Sequence, residues 1–138
     1  NYKTIYTLTQ YLSHHNDITE IIFVGICGRT EHYQGIIQIA NIINAHTHKE
    51  IIIPISKKIA PLVTIISSEI PIHDRSLMQG KHYVDMESRG VAVVATQLKI
   101  PTTILRIPVD EIGSISCQTM DYKKALEQMK WQLSLIQI

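Results

Sequence analysis

The sequence predicts a layered α/β/α domain whose central sheet is mostly parallel or mixed. Three observations predict it. Short runs of branched aliphatic residues at 21–24, 50–55, 62–66 and 102–107 have the length and composition of buried strands. Segments 4–14 and 85–98 instead place their apolar residues at helical spacing. Hydrophobic residues make up 45% of the chain and charged residues 18%, with isoleucine dominant and aromatics only 6%. Such β-branched composition favours sheet. Strands alternating with helices pack as layers; their order in the sheet stays open.

Taken in order, 4–14 carries Ile5, Leu8 and Leu12 on one helical face, and Asn16-Asp17 ends the pattern. Ile21-Ile22-Phe23-Val24 reads as a strand closing on a glycine-bracketed turn, Gly25-Ile26-Cys27-Gly28. In 34–44, the isoleucines at 36, 37, 39, 42 and 43 partly fit both the strand and the helix period. Residues 50–55 and 62–66 read as strands, separated by a solvated turn at Lys57-Lys58, and 71–80 as a loop with a short helix. A helix runs from Asp85 to about Leu98, with Val91, Val94 and Leu98 on one face, and Ile100-Pro101 ends it. The strand 102–107 follows, with Pro108 breaking the ladder or sitting at its end. Residues 121–136 form an amphipathic helix with Ala125, Met129 and Leu133 on its stripe.

With 138 residues the chain has material for one domain, 1–138, and a real core. A formal charge of +1, without a basic stripe interleaved with aromatics, argues against nucleic acid as a partner. No run approaches the roughly 18 apolar residues of a membrane span. The seven histidines are scattered and lack the paired spacing of zinc ligands, so no metal is expected. Cys27 and Cys117 suggest no disulfide framework and suit a reducing compartment.

The chemistry-bearing residues concentrate in 83–113, YVDMESRGVAVVATQLKIPTTILRIPVDEIG. Asp85 and Glu87 sit at the mouth of a helix. They serve there either as acids complementing the helix dipole or as a ligand grip, since a carboxylate accepts through two oxygens and can hold two neighbouring hydroxyls. Met86 between them offers a flexible apolar surface for a sugar or base. Asp110 at a strand end either caps a turn, with Arg106 as an ion-pair partner, or acts as a general acid if its carboxyl is kept protonated. In VGICGRT, Gly25 and Gly28 permit close backbone approach to a ligand, and Arg29 adds a charge suited to phosphate. A nucleophilic Cys27 with a distant histidine is a further alternative.

Together these segments resemble the purine nucleoside phosphorylase superfamily, in particular its methylthioadenosine/S-adenosylhomocysteine nucleosidase branch. VGICG resembles the family's strand and glycine turn, VDMES its Met-Glu segment opening a helix, and KIPTTILRIPVD its short turn, strand and R-x-x-x-D ending. The resemblance implies a nucleoside phosphorylase-like fold and cleavage of a purine N-glycosidic bond. Glu87 would bind the ribose hydroxyls and Met86 pack on the sugar. Asp110 would protonate the leaving base, and Arg106, counted with the substrate-binding residues, would be a nearby structural or electrostatic support. Gly25 and Gly28 would shape the floor near the sugar or phosphate, and Ser67, with Ser68 and Glu69, would line the base pocket.

The chain departs from the family in being shorter and in showing no counterpart of its N-terminal strand and glycine loop. The family's Val-Gly-Asp segment reads Gln34-Gly35-Ile36, and Val109 stands where the nucleosidases have serine. The expectation is therefore a shortened member acting on a nucleoside, with water favoured over phosphate as acceptor and no cofactor. It would be cytoplasmic, homo-oligomeric (a dimer) and free of membrane or nucleic-acid partners. A non-catalytic nucleoside-binding or subunit-interaction domain is the alternative. An unrelated flavodoxin-like domain would set Glu87 and Asp110 far apart.

Overall fold

The computed structural model describes residues 2–31 and 35–112, together with Lys123, Leu126, Glu127, Lys130, Trp131 and Ser134. Those last six are exposed and have helical backbone; the apolar stripe expected at Ala125, Met129 and Leu133, and Cys117, lie outside the described residues. The elements are α1 (Tyr2–Ser13), β1 (Ile21–Arg29), β2 (Ile37–Asn44), β3 (Glu50–Ile52), β4 (Leu62–Ser67), a 3₁₀ turn (Arg75–Met78), β5 (Tyr83–Asp85), α2 (Ser88–Leu98) and β6 (Thr102–Glu111). The chain is an α/β domain with a mixed central sheet and flanking helices, as the sequence predicts.

The sheet order is β3-β2-β4-β5-β1-β6. β1–β6, β2–β4 and β4–β5 are parallel, whereas β1–β5 and β2–β3 are antiparallel. A further antiparallel pairing, Ile37 with Arg106 and Gln38 with Leu105, joins β2 to β6 and closes five strands into a ring, with β3 outside it on β2. Closure leaves β6 flanked on both edges, and Thr102 through Pro108 are all buried.

The ambiguity over 34–44 has a structural cause. In β2, Ile39 pairs with Val63 but Asn41 with Thr64, so Ala40 is an extra residue in the ladder. A bulge shifts the two-residue alternation by one. Ile37, Ile39 and Ile42 therefore share one core cluster, despite spacing that mixes the two periods.

Gln38 in the same strand is fully buried. Its Nε2 donates to the Lys57 carbonyl at 2.6 Å, and its Oε1 accepts from the amides of Ile59 (2.7 Å) and Ala60 (3.3 Å). One side chain thus satisfies three backbone groups of the connection to β4.

Two expectations need correction. Gly25–Gly28 is not a turn: β1 continues through it to Arg29, held by β6 from Ile21↔Thr102 to Arg29↔Glu111. Nor does Pro108 end β6. It pairs with Cys27, after which the register shifts so that Gly28 faces Asp110. Val109 is the bulged residue, and a bulge is where a strand tolerates a proline without its N–H.

The second helix starts at Ser88, not Asp85, because the backbone of 83–85 is committed to the sheet between β4 and β1. Val91, Ala92, Val94 and Ala95 form its buried face, while Leu98 in the last turn is half exposed. Lys99 ends it in the left-handed region (φ 56°), and Pro101 follows. Leu8 of α1 packs into the same cluster as Val91 and Ala92, so α1 and α2 cover one face together. No helix among the described residues is long and apolar enough to cross a membrane.

Candidate functional site

Sheet register brings the sequence-predicted residues onto four adjacent strands. Ser67 at the end of β4 pairs with Asp85 at the end of β5. Gly28 of β1 pairs with Val84 on one side and Asp110 on the other. Asp110 is therefore two strand spacings from β5, about 10 Å. Gly25 pairs with Arg106 further along the same β1–β6 ladder. The side chain of Asp110 lies outside the described part of the structure.

At the centre is a buried ion pair that sequence reasoning did not find. Arg106 and Asp85 are 2% and 6% exposed. Arg106 Nε donates to Asp85 Oδ2 at 2.9 Å and to Ser88 Oγ at 3.2 Å. The Ser88 hydroxyl donates to Asp85 Oδ2, and the Ser88 amide lies 3.3 Å from both carboxylate oxygens. Arg106 Nη2 stands 2.9 Å from Oδ2 but off the hydrogen-bonding axis, leaving a buried N–H group without an aligned acceptor among the described residues. The guanidinium carbon lies 4.4 Å over the Phe23 ring, a cation–π contact.

Two features of the sequence allow this. Asp85 and Ser88 are three residues apart, the spacing at which an Asp side chain reaches a helix N-terminal amide. Gly25 supplies the space: a Cβ there would fall 1.9 Å from Arg106 Nη1. Gly25 thus serves a side chain from the neighbouring strand, where the sequence suggested a turn. A pairing of Arg106 with Asp110, four residues away, is the local alternative in the sequence and rests on a side chain outside the described residues; Asp85, 21 residues away, is reached only through the sheet.

Glu87 is the outward member of the acidic pair. Its side chain is 50% exposed, with Oε2 3.7 Å from Arg106 Nη2. It is the residue before α2 but makes no cap hydrogen bond, so its carboxylate is not used by the helix. Met86 beside it is partly buried. The dipole-complementing role belongs to Asp85, and Glu87 is left available.

Ser67 is buried and its Oγ accepts from the Arg89 amide at 3.4 Å, in the first turn of α2. Ser68 donates its amide to the Asp85 carbonyl (3.0 Å) and its Oγ lies 3.5 Å from His46 Nε2. These contacts tie the β4 end to the segment carrying Glu87. Arg29 pairs through its backbone with Glu111 and Tyr83, and its Nε is buried without a hydrogen-bond partner among the described residues. The Cys27 thiol is buried and pushed well above its ordinary value, first by desolvation and then by Asp85, against the opposing pull of Arg106 and Arg29. A thiol held protonated is a poor nucleophile. Among the described residues no group of three His, Cys, Asp or Glu side chains could hold a metal ion. A cavity of about 520 Å³ lies between α1 and β1, lined by Leu8, Tyr11, Ile21, Phe23 and Val91 among others. Phe23 links it to the Arg106 cluster.

No protein-family model matches the sequence, and no curated protein does. Solved structures do match in fold. A Helicobacter pylori 5′-methylthioadenosine/S-adenosylhomocysteine nucleosidase superposes with a TM-score of 0.77 at 13% identity, over 95% of this chain and 72% of that one. A futalosine hydrolase from the same organism gives 0.76 at 12%, over 95% and 73%. The corresponding Chlamydia trachomatis nucleosidase, bound to methylthioadenosine, gives 0.66 at 18%, over 83% and 60%. At these identities the likeness is one of fold.

Proposed function

We propose that this chain cleaves the N-glycosidic bond of a purine nucleoside, with Glu87 gripping the ribose and Asp110 as general acid to the base. The observation that carries the reading is the division of labour between the two acids of the Asp-Met-Glu segment. Asp85 is consumed by Arg106, and Glu87 is left half exposed beside the same guanidinium, on a sheet whose register sets Asp110 two strands away. The fold likeness to nucleosidases supports it.

In this reading the two oxygens of Glu87 accept from the vicinal ribose hydroxyls, and Met86 packs on the sugar. As the C1′–N bond breaks, its electron pair leaves on the purine while the sugar becomes oxocarbenium-like. Asp110 delivers a proton to a ring nitrogen, so the base departs neutral. A water oxygen then bonds to C1′ and loses a proton to solvent, giving free base and free sugar. Water rather than phosphate as the acceptor belongs to the same proposal. Ser67, Gly25 and Gly28 shape the site through backbone and packing. Assembly as a homodimer and a cytoplasmic location belong to the same proposal.

The test is chromatography of free base after incubation with methylthioadenosine, adenosine and inosine, with and without phosphate. Base release that is lost in Asp110→Asn supports catalysis. Tight binding without release supports a binding domain instead. Neither release nor binding sinks the nucleoside reading.

A further inference from the structure

The Arg106 guanidinium is held from several directions: by Asp85 and Ser88 through Nε, by the Phe23 ring across its face, and by the gap over Gly25 that receives Nη1. Asp85 and Ser88 are 6% and 0% exposed, so neither is placed to touch a ligand. What they determine is where Nη2 stands, and Nη2 stands 3.7 Å from Glu87 Oε2.

We infer that Asp85 and Ser88 are positioning residues, which hold Arg106 behind Glu87 and so fix the direction in which the Glu87 carboxylate faces. The inference rests on the reading of Glu87 as the ribose grip. A half-exposed glutamate is ordinarily free to sample rotamers, and holding it costs entropy. Here the cation is already immobile, so only the glutamate has freedom to lose. Among the described residues, the unaligned N–H of Nη2 has the Glu87 carboxylate within ion-pair reach, at 3.7 Å. Engagement through Oε2 leaves Oε1 and the outer lone pairs for a vicinal diol, which needs both oxygens at defined positions. Ser88 matters because it bonds both members of the pair: its hydroxyl donates to Asp85 and accepts from Arg106.

The readout is discrimination between adenosine and 2′-deoxyadenosine, measured by calorimetry in an Asp110→Asn background so that bound nucleoside is not consumed. Adding Ser88→Ala is expected to lower the preference for the ribonucleoside roughly tenfold, the scale of one hydrogen bond to a charged group. Gln38→Leu, which weakens the fold at the connection before β4, is expected to leave the preference unchanged. If Ser88→Ala does not fold, Asp85→Glu, which keeps the charge and displaces the carboxylate by one methylene, is expected to act in the same direction. Full preference retained in the Ser88 or Asp85 variant overturns the inference and spares the Glu87 reading. A parent protein that shows no preference, or binds neither nucleoside, overturns both.

Discussion

Arg106 and Gly25 face each other on one rung of the β1–β6 ladder, and the guanidinium occupies the space that any side chain at Gly25 would need. Relief by swinging Arg106 aside is costly, because that breaks its bonds to Asp85 and Ser88 and its contact with Phe23. Gly25→Ala is therefore expected to destabilise the protein by about 2–4 kcal/mol, measured by urea unfolding. A loss within a few tenths of a kcal/mol would show that Arg106 is not confined as described.

The buried pair itself predicts strong coupling. Asp85→Asn leaves the Arg106 charge without its counter-ion, and Arg106→Met leaves Asp85 with Ser88 alone. Each is expected to cost about 3–5 kcal/mol. The double variant is expected to be more stable than the sum of the two losses by about 1–3 kcal/mol. Additive losses in a double-mutant cycle would mean that the two groups do not act as a pair.

Most of the sheet is legible in the aliphatic runs, because buried strands need branched residues and little else. Other features depend on partners distant in sequence. Gly25 and Gly28 look like turn residues until β6 is seen beside them. Pro108 looks like a strand end until the bulge at Val109 is known. The start of α2 at Ser88 rather than Asp85 has a related cause: pairing with β4 and β1 keeps 83–85 extended. In the site, the Asp-Met-Glu segment and Asp110 are visible as acids, but their separate roles are not. Asp85 and Arg106 are 21 residues apart, and their pairing follows from topology rather than local spacing.

Cys27 predicts a pH effect. In the folded protein its thiol is held protonated, mainly by burial, above the ordinary value of 9.0. Its contribution to stability is whole below about pH 9. As pH rises further the unfolded chain loses this proton and the folded chain keeps it, so stability falls, by about 1.4 kcal/mol per pH unit. Subtracting the profile of Cys27→Ala from that of the parent protein isolates this slope from other titrations. A flat difference between pH 8 and 10 would show that the thiol ionises equally in both states.

Gln38→Leu removes an acceptor for two amides and a donor to one carbonyl in the connection before β4. These groups are partly open to water, which moderates the loss to about 1–3 kcal/mol. Limited proteolysis is expected to cut faster within residues 57–60 in the variant. Unchanged cleavage there would mean that the connection is held by other contacts.

The central claim, that Asp110 gives a proton to a departing purine while Glu87 holds its sugar, is tested most directly by the rate of adenine release from 5′-methylthioadenosine. The account predicts measurable release by the parent protein and a fall of at least about 100-fold in Asp110→Asn, with the fold retained. Equal rates in the two folded proteins, or no adenine from either, would contradict it.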